Sequence, residues 1–402
     1  MEFVALFTVI LFIVAMAKIM KSYELAEGLK ANDEDVIPDS ESKNNATMML
    51  IFGILFIGSV FYQMKIWGGL TLPEAASEHG VVYDSLMNVT MTLIFIVFVI
   101  CQALLFWFAY KYYHRKGTKA LWFPHNNRLE LAWTIVPSII LVMLIMYGLS
   151  VWKDIMRTEK EYDTEIELYA EQFNWTARYP GQDGVLGKAN FSLITSTNGL
   201  GIITEESLKE RRVLGNTLIE KYRKDTAELN TQARDGWNVG KVLGDKKSKL
   251  SAEVANLRRL DVLEKRDAAD YKAGEDDVLV KNEFVIPKGK LIKFQMRSKD
   301  IIHSAYMPHF RAQINCVPGM KTTFAFKPTI TTEEMRTKLG DEEFEYYLLC
   351  NKICGASHYN MKMVIKVVEP EAYEQWLKDN VYKETEAIAE VEVVEAEANI
   401  TK

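Results

Sequence analysis

Four long apolar runs stand out in the first 152 residues, at residues 3–17, 46–62, 87–110 and 129–152. Each approaches or exceeds the roughly 17 to 25 residues that a helix needs to cross a bilayer. Beyond Trp152 the pattern changes to short strand-like runs at residues 165–169, 173–179, 283–286, 291–296, 322–326, 345–349 and 361–368, with Pro287-Lys288-Gly289 and Pro318-Gly319 as turns. Regular short strands between such turns predict an all-β sandwich or barrel. Between residue 205 and about 275 the period switches. Leu214, Leu218 and Tyr222, then Leu250, Val254 and Leu257, recur at helical spacing among charged residues, which predicts amphipathic helices set into the β domain as an insertion. Residues 380–402 are rich in Glu, Ala and Val and nearly devoid of aromatics, the composition of a disordered acidic tail.

The organisation is therefore two apolar spans in residues 1–65, a two-span hairpin in 87–152, and a polar domain in 153–379. Ala15-Met16-Ala17 resembles a signal-peptide cleavage site, but a secretory signal carries its positive charge ahead of the apolar core. Here Glu2 precedes the core and Lys18 and Lys21 follow it, so a retained span is favoured. Loop charge then orients the chain. Lys111, Arg115, Lys116, Lys119 and Arg128 crowd the connection after the third run, whereas residues 66–86 contain no Lys or Arg. The basic loop belongs on the cytoplasmic side. After four crossings the polar domain lies outside. The formal net charge of −6 decides little by itself, although an acidic external surface would steer a basic partner.

The chemistry concentrates in Cys350-Asn-Lys-Ile-Cys354-Gly-Ala-Ser-His358-Tyr-Asn-Met361. Thiolate, thioether and imidazole donors select soft or borderline ions such as copper or zinc over magnesium, calcium or manganese. A disulfide between the two cysteines is the alternative, because cysteine pairs outside the cytoplasm are usually bridged. Upstream, Ser298-Lys-Asp-Ile-Ile-His303-Ser304 offers a second imidazole from another strand end. Zinc prefers one closed tetrahedral shell, and the surplus of soft ligands exceeds it. Cys101 and Cys316 lack ligand company and read as packing thiols, and His309 as structural or surface.

C-x-x-x-C-x-x-x-H-x-x-M with a distant D-x-x-H-S resembles subunit II of the cytochrome c oxidase family. The resemblance implies a cupredoxin-like sandwich on a transmembrane hairpin, the first two spans being additions. It implies a dinuclear copper A centre held by Cys350 and Cys354, His303 and His358, Met361 and the carbonyl of Lys352. It further implies an enzyme subunit of a haem-copper terminal oxidase in a bacterial inner membrane, with the copper domain on the periplasmic face. Electrons would arrive from cytochrome c, free or held in a complex, and pass to haem in subunit I, where oxygen is reduced. Oxidase subunits and lipids are the implied partners, and nothing calls for nucleic acid. Lacking C-x-x-C-H, the chain is expected to bind no haem c of its own.

Three positions bear on details. Gln172-Phe173-Asn174-Trp175 stands where the family has Q-W-x-W, placing Phe173 and Trp175 at the point of electron arrival. Lys352, Asn315 and Met320 replace residues that in relatives support a side-chain magnesium site, so that site is expected to be absent or rebuilt. Arg128-Leu-Glu130-Leu-Ala-Trp133-Thr134-Ile-Val-Pro137 resembles the family's E-x-x-W-T-x-x-P, whose Glu marks a proton-path entrance in relatives, while a first-turn Glu also favours the helix dipole. Quinol oxidase relatives lose the copper ligands, which persist here, and a copper A nitrous oxide reductase would need a large propeller domain. A membrane-anchored copper carrier remains the alternative function.

Overall fold

The computed structural model describes residues 12–24, 39–157, 161–265 and 269–382. Residues 3–11 of the first apolar run and residues 383–402 of the expected acidic tail lie outside the described residues; residues 12–24 are helical. Three further helices are α1 (Asp39–Trp67), α2 (Glu78–Lys111) and α3 (Asn127–Met156). Among the described residues these three are long and apolar enough to cross a membrane, and they contain the second, third and fourth apolar runs. Their apolar side chains face outward all round, which suits lipid rather than water.

One compact unit comprises residues up to Thr71 and Met91–Trp133. Within it Gly53 of α1 meets Phe106 of α2 so closely that a Cβ would fall 2.3 Å from the ring, whereas Gly58 meets nothing within 4 Å. Phe52 and Phe56 extend that contact onto Phe106. Small-residue packing of this kind lets membrane helices approach.

The other unit holds residues 72–90 and the chain from Thr134. Among the described residues its ten strands are β1 (Thr164–Glu171), β2 (Asn174–Tyr179), β3 (Val278–Lys281), β4 (Glu283–Pro287), β5 (Ile292–Ser298), β6 (His303–Met307), β7 (Ala312–Cys316), β8 (Thr322–Phe326), β9 (Tyr346–Cys350) and β10 (Lys362–Val368). They form two five-stranded sheets, ordered β3-β2-β1-β5-β8 and β4-β10-β9-β6-β7. Leu168, Phe284, Phe294, Phe326, Tyr346 and Ile365 belong to the core between them. The seven predicted strand runs coincide with strands, and β3, β6 and β7 are additional. Phe173 lies in the β1–β2 turn rather than in β2.

Residues 73–84 are stitched onto this sandwich. Ala76 N donates to His309 O at 2.7 Å and Thr329 N to Ala76 O at 2.9 Å. Arg311 makes a two-pronged pair with Asp84, both contacts at 2.8 Å. The start of α2 and the β domain are thus one piece.

Between β2 and β3 the chain carries α4 (Glu205–Arg234), α5 (Gly240–Leu263) and the short α6 (Ala269–Lys272). Thr204 and Ser207 form a reciprocal cap at the start of α4, and Leu193, Ile203, Leu208, Leu260 and Leu263 make a small separate core at the root of the helix pair. Gly215 of α4 lies against Leu257 of α5. The segments flanking the insertion are fastened to the sheet by buried charge. Arg178 of β2 bonds Glu167 of β1 at 2.6 Å, Asp277 at 2.5 Å and the carbonyl of Gly187 at 2.9 Å. Arg297 of β5 also bonds Glu167, with its second contact at 3.1 Å. The side chains of Arg178, Glu167 and Asp277 are only 2%, 1% and 0% exposed.

The two carboxylates respond differently. Burial pushes Glu167 upward, but Arg178 and Arg297 together outweigh it and hold the group below its usual range. Asp277 has burial against it, shares one arginine and neighbours Asp276, and is pushed up to about 6. Removing one member of such a buried pair leaves an uncompensated charge, so Arg178→Met should destabilise the β domain by about 3 to 5 kcal/mol, measured by denaturant unfolding. Because the folded-state affinity of Asp277 for a proton exceeds that of the unfolded chain, its contribution is complete below the ordinary carboxylate range and is lost as pH rises through about 6. Asp277→Asn should therefore flatten that part of the stability profile relative to the wild type; identical profiles would refute it.

Candidate metal centre

β6 begins at His303 and β9 ends at Cys350, and β6 lies between β7 and β9, with His303 opposite Cys316 and Ala305 opposite Cys350. The sheet thereby turns His303 and Cys350 to one face. From Cys350 the chain loops out and returns as β10, and the loop is closed by Cys350 N donating to Met361 O at 3.1 Å and Asn351 N donating to Ser304 O at 3.1 Å. A single turn of 3-10 helix, His358–Asn360, brings the loop's imidazole and thioether back over Cys354.

The six expected donors meet. Cys350 Sγ lies 3.7 Å from His303 Nδ1 and 3.2 Å from the carbonyl oxygen of Lys352. Cys354 Sγ lies 3.6 Å from His358 Nδ1 and 3.8 Å from Met361 Sδ. The two sulfurs are 3.9 Å apart and unbonded, so the disulfide alternative is not the state of this structure. His303, Cys350, Cys354 and Met361 are buried, while the side chain of Lys352 points to solvent. Burial, then the neighbouring Cys350, pushes the Cys354 thiol up to about 11. Two buried sulfurs this close resist ionising together unless a cation lies between them, and metal binding supplies that cation while expelling the protons. Thiolate, imidazole and thioether donors fit copper. Among the described residues no other cluster of three His, Cys, Asp or Glu ligand atoms is this close.

Two aromatic residues flank the cluster. The indole of Trp175, 3% exposed, stands edge-on to His303 with ring centroids 6.3 Å apart. Phe173 is half-buried against Gly355, where φ is +141° and a Cβ would come within 2.9 Å of the ring. The same turn supplies Gln172, whose Nε2 donates to Cys354 O at 2.5 Å. Asp300, quoted in the D-x-x-H-S pattern without a role of its own, accepts from His303 Nε2 at 2.8 Å and from Gln172 N at 2.7 Å. Burial pushes Asp300 up, but these donors and Ile301 N hold it below its usual range. An acid three residues before the histidine was the available signal for it.

The rim of the loop is apolar and basic. Ile353 and Tyr359 are 86% and 88% exposed, Lys352 and Lys362 are exposed, and residues 351–362 contain no carboxylate. Glu171 is paired with Lys299 at 2.6 Å. An acidic steering surface therefore has no carrier on this loop. His309 is structural, its ring 5.2 Å from those of both Phe344 and Tyr346, and burial pushes it down to about 4. Cys316 is buried in the core and Cys101 faces outward on α2.

Glu130 is not brought to this cluster. It sits in the first turns of α3, its side chain 44% exposed, and accepts from Asn126 N at 3.1 Å. Asn126 Oδ1 in turn accepts from the N–H groups of Arg128 and Leu129, both at 3.1 Å. The two side chains cap the helix reciprocally.

Comparison with known proteins follows the same lines. The family description "Cytochrome C oxidase subunit II, transmembrane domain" matches residues 65–151, and "Cytochrome C oxidase subunit II, periplasmic domain" matches residues 261–368. The alternative cytochrome c oxidase subunit 2 of Bradyrhizobium diazoefficiens is 25% identical over 82% of this chain and 90% of its own length. The cytochrome c oxidase subunit 2 of Thermostichus vulcanus is 24% identical over 81% of this chain and 84% of its own. A crystal structure of the periplasmic domain of subunit II of cytochrome oxidase (CoxB) from Bradyrhizobium japonicum aligns at 17% identity over 55% of this chain and 95% of that one, with a TM-score of 0.27, too low to carry weight. Two matching domains in the expected order and relatives aligned over most of their length place the chain in the cytochrome c oxidase subunit II family.

Proposed function

We propose that this subunit II receives electrons from cytochrome c at a dinuclear copper A centre and passes them to haem in subunit I. One observation carries the reading. The sulfur pair of Cys350 and Cys354 has His303 and the Lys352 carbonyl on one side and His358 and Met361 on the other. Four donors around two shared sulfurs exceed one tetrahedral shell and divide into two. When bound, a copper pair supplies one-electron exchange at that point. The chain's own residues orient and shield. His303, Cys350, Cys354 and Met361 keep the centre dry, Trp175 braces His303, and Phe173 covers Gly355 at the rim where an electron would arrive. A copper carrier would need an open, exchangeable site, and these buried donors do not favour one.

The basic connection between α2 and α3 supports a cytoplasmic position for that loop and a periplasmic one for the β domain of a bacterial plasma membrane protein. Oxidase subunits, cytochrome c and lipid are the partners that follow. Lys352 presents an ammonium where relatives have Glu, which supports the absence of a side-chain magnesium site. For Glu130 we propose both a cap and a proton-path entrance.

Copper-loaded full-length protein should contain two copper ions per chain and show paramagnetic hyperfine structure from two equivalent nuclei. Cys350→Ser or Cys354→Ser should abolish that pattern, and a single-nucleus spectrum in the wild type would refute the dinuclear reading. Glu130→Gln separates the roles of that residue, because the amide oxygen still accepts from Asn126 N while the charge is gone. Its melting temperature should stay at the wild-type value and proton uptake by the assembled oxidase should fall. Unchanged turnover would leave only the cap, worth about 1 kcal/mol.

A further inference from the structure

Asp300 lies in the turn between β5 and β6, a turn pinned to β1 by Lys299 N donating to Ala170 O at 2.9 Å. Its Oδ1 accepts from Ile301 N at 2.7 Å and from His303 Nε2 at 2.8 Å, and its Oδ2 accepts from Gln172 N at 2.7 Å. Both oxygens are therefore spent on fixed donors. His303 is fully buried, and its other ring nitrogen, Nδ1, faces Cys350 Sγ at 3.7 Å.

An imidazole presents a lone pair on one nitrogen when its proton is held on the other, and the partner of the proton decides which. The edge-on indole of Trp175 restrains the plane of the His303 ring but does not distinguish its two nitrogens. A carboxylate on Nε2 does distinguish them. The carboxylate is itself oriented by the β1–β2 turn through Gln172 N, and the side chain of Gln172 reaches on to Cys354 O at 2.5 Å. His303, Asp300, Gln172 and Cys354 thus form a chain of hydrogen bonds that runs from one expected ligand to another.

We infer, on the copper reading given above, that Asp300 is a positioning residue of the metal centre. It holds the His303 proton on Nε2 and so presents Nδ1 to the metal, and its second oxygen ties that ring to the turn carrying Phe173. The opposite loop offers no counterpart carboxylate, since residues 351–362 contain none.

The test uses full-length protein in detergent with isotope-labelled histidine. In the metal-free wild type, nitrogen and carbon shifts should report His303 as the Nε2–H tautomer. In Asp300→Ala, which leaves no acceptor for the ring, that preference should be lost, copper affinity should fall by about 10- to 100-fold, and Asp300→Glu should restore the tautomer. Near-ultraviolet dichroism and melting temperature should stay at wild-type values, which separates positioning from folding. An Asp300→Ala protein that keeps the Nε2–H tautomer, or one that loses it with copper affinity within about twofold of wild type, would overturn the inference. A wild type lacking the two-nucleus copper spectrum would instead count against the copper pair, while the tautomer comparison, made without metal, still decides the role of Asp300.

Discussion

Two buried thiols 3.9 Å apart are the constraint to which the rest of this domain answers. Sulfur in an apolar core resists ionising, and two thiolates in contact repel, so such a pair is tolerable in its ligand form only around a cation. The scaffold has to bring that pair together before any metal can bind. It does so with strand ends: Cys350 closes β9, His303 opens β6 beside it, and Met361 immediately precedes β10. Backbone bonds from Cys350 to Met361 and from Asn351 to Ser304 hold the loop shut independently of any side chain. Precision at the site is thus inherited from ladder hydrogen bonds, which the sandwich core protects from water.

Much of this was legible because the donors lie in one short segment. Cys350, Cys354, His358 and Met361 fall within a single loop, and only His303 had to be fetched from elsewhere. The less legible parts are those whose meaning depends on a neighbour in space. His303–Met307 carries no clean two-residue alternation, because His303, Ser304 and Ala305 are buried in succession, whereas the Ala-Gln-Ile-Asn-Cys run of β7 does alternate and was open to a periodicity reading. β3 is only four residues long and exists because Arg178, Ala177 and Thr176 of β2 offer it an edge. Gly53 has no distinguishing feature in sequence beside Gly58; the ring of Phe106 makes the difference. Asp300 was visible as a letter in a motif and silent as a bond.

The inserted helices follow a different logic from the sandwich. Their root has its own small apolar core, and the segments that flank them are held on the sheet by a buried ionic set in which Glu167 is shared by Arg178 and Arg297 while Asp277 leans on Arg178 and the Gly187 amide. Apolar packing alone would let a helical excursion slide over a sheet face. Directional, fully desolvated pairs specify one seating, at the cost of an Asp277 carboxylate that burial makes hard to keep charged. The insertion can therefore be long and charged without loosening the strands that carry the metal loop.

Electrostatics at the rim then bears on how a donor could dock. A loop whose exposed residues include Lys352, Ile353, Tyr359 and Lys362 and no carboxylate, with Glu171 paired and Asp300 bonded to His303, exerts no acidic pull on a basic protein. Any acidic steering would have to come from elsewhere on the domain, and at the loop itself contact would rest on Ile353 and Tyr359. Phe173 fits that description. Its ring lies against Gly355, which could not take a side chain without displacing it, so the aromatic ring and the metal loop share one surface.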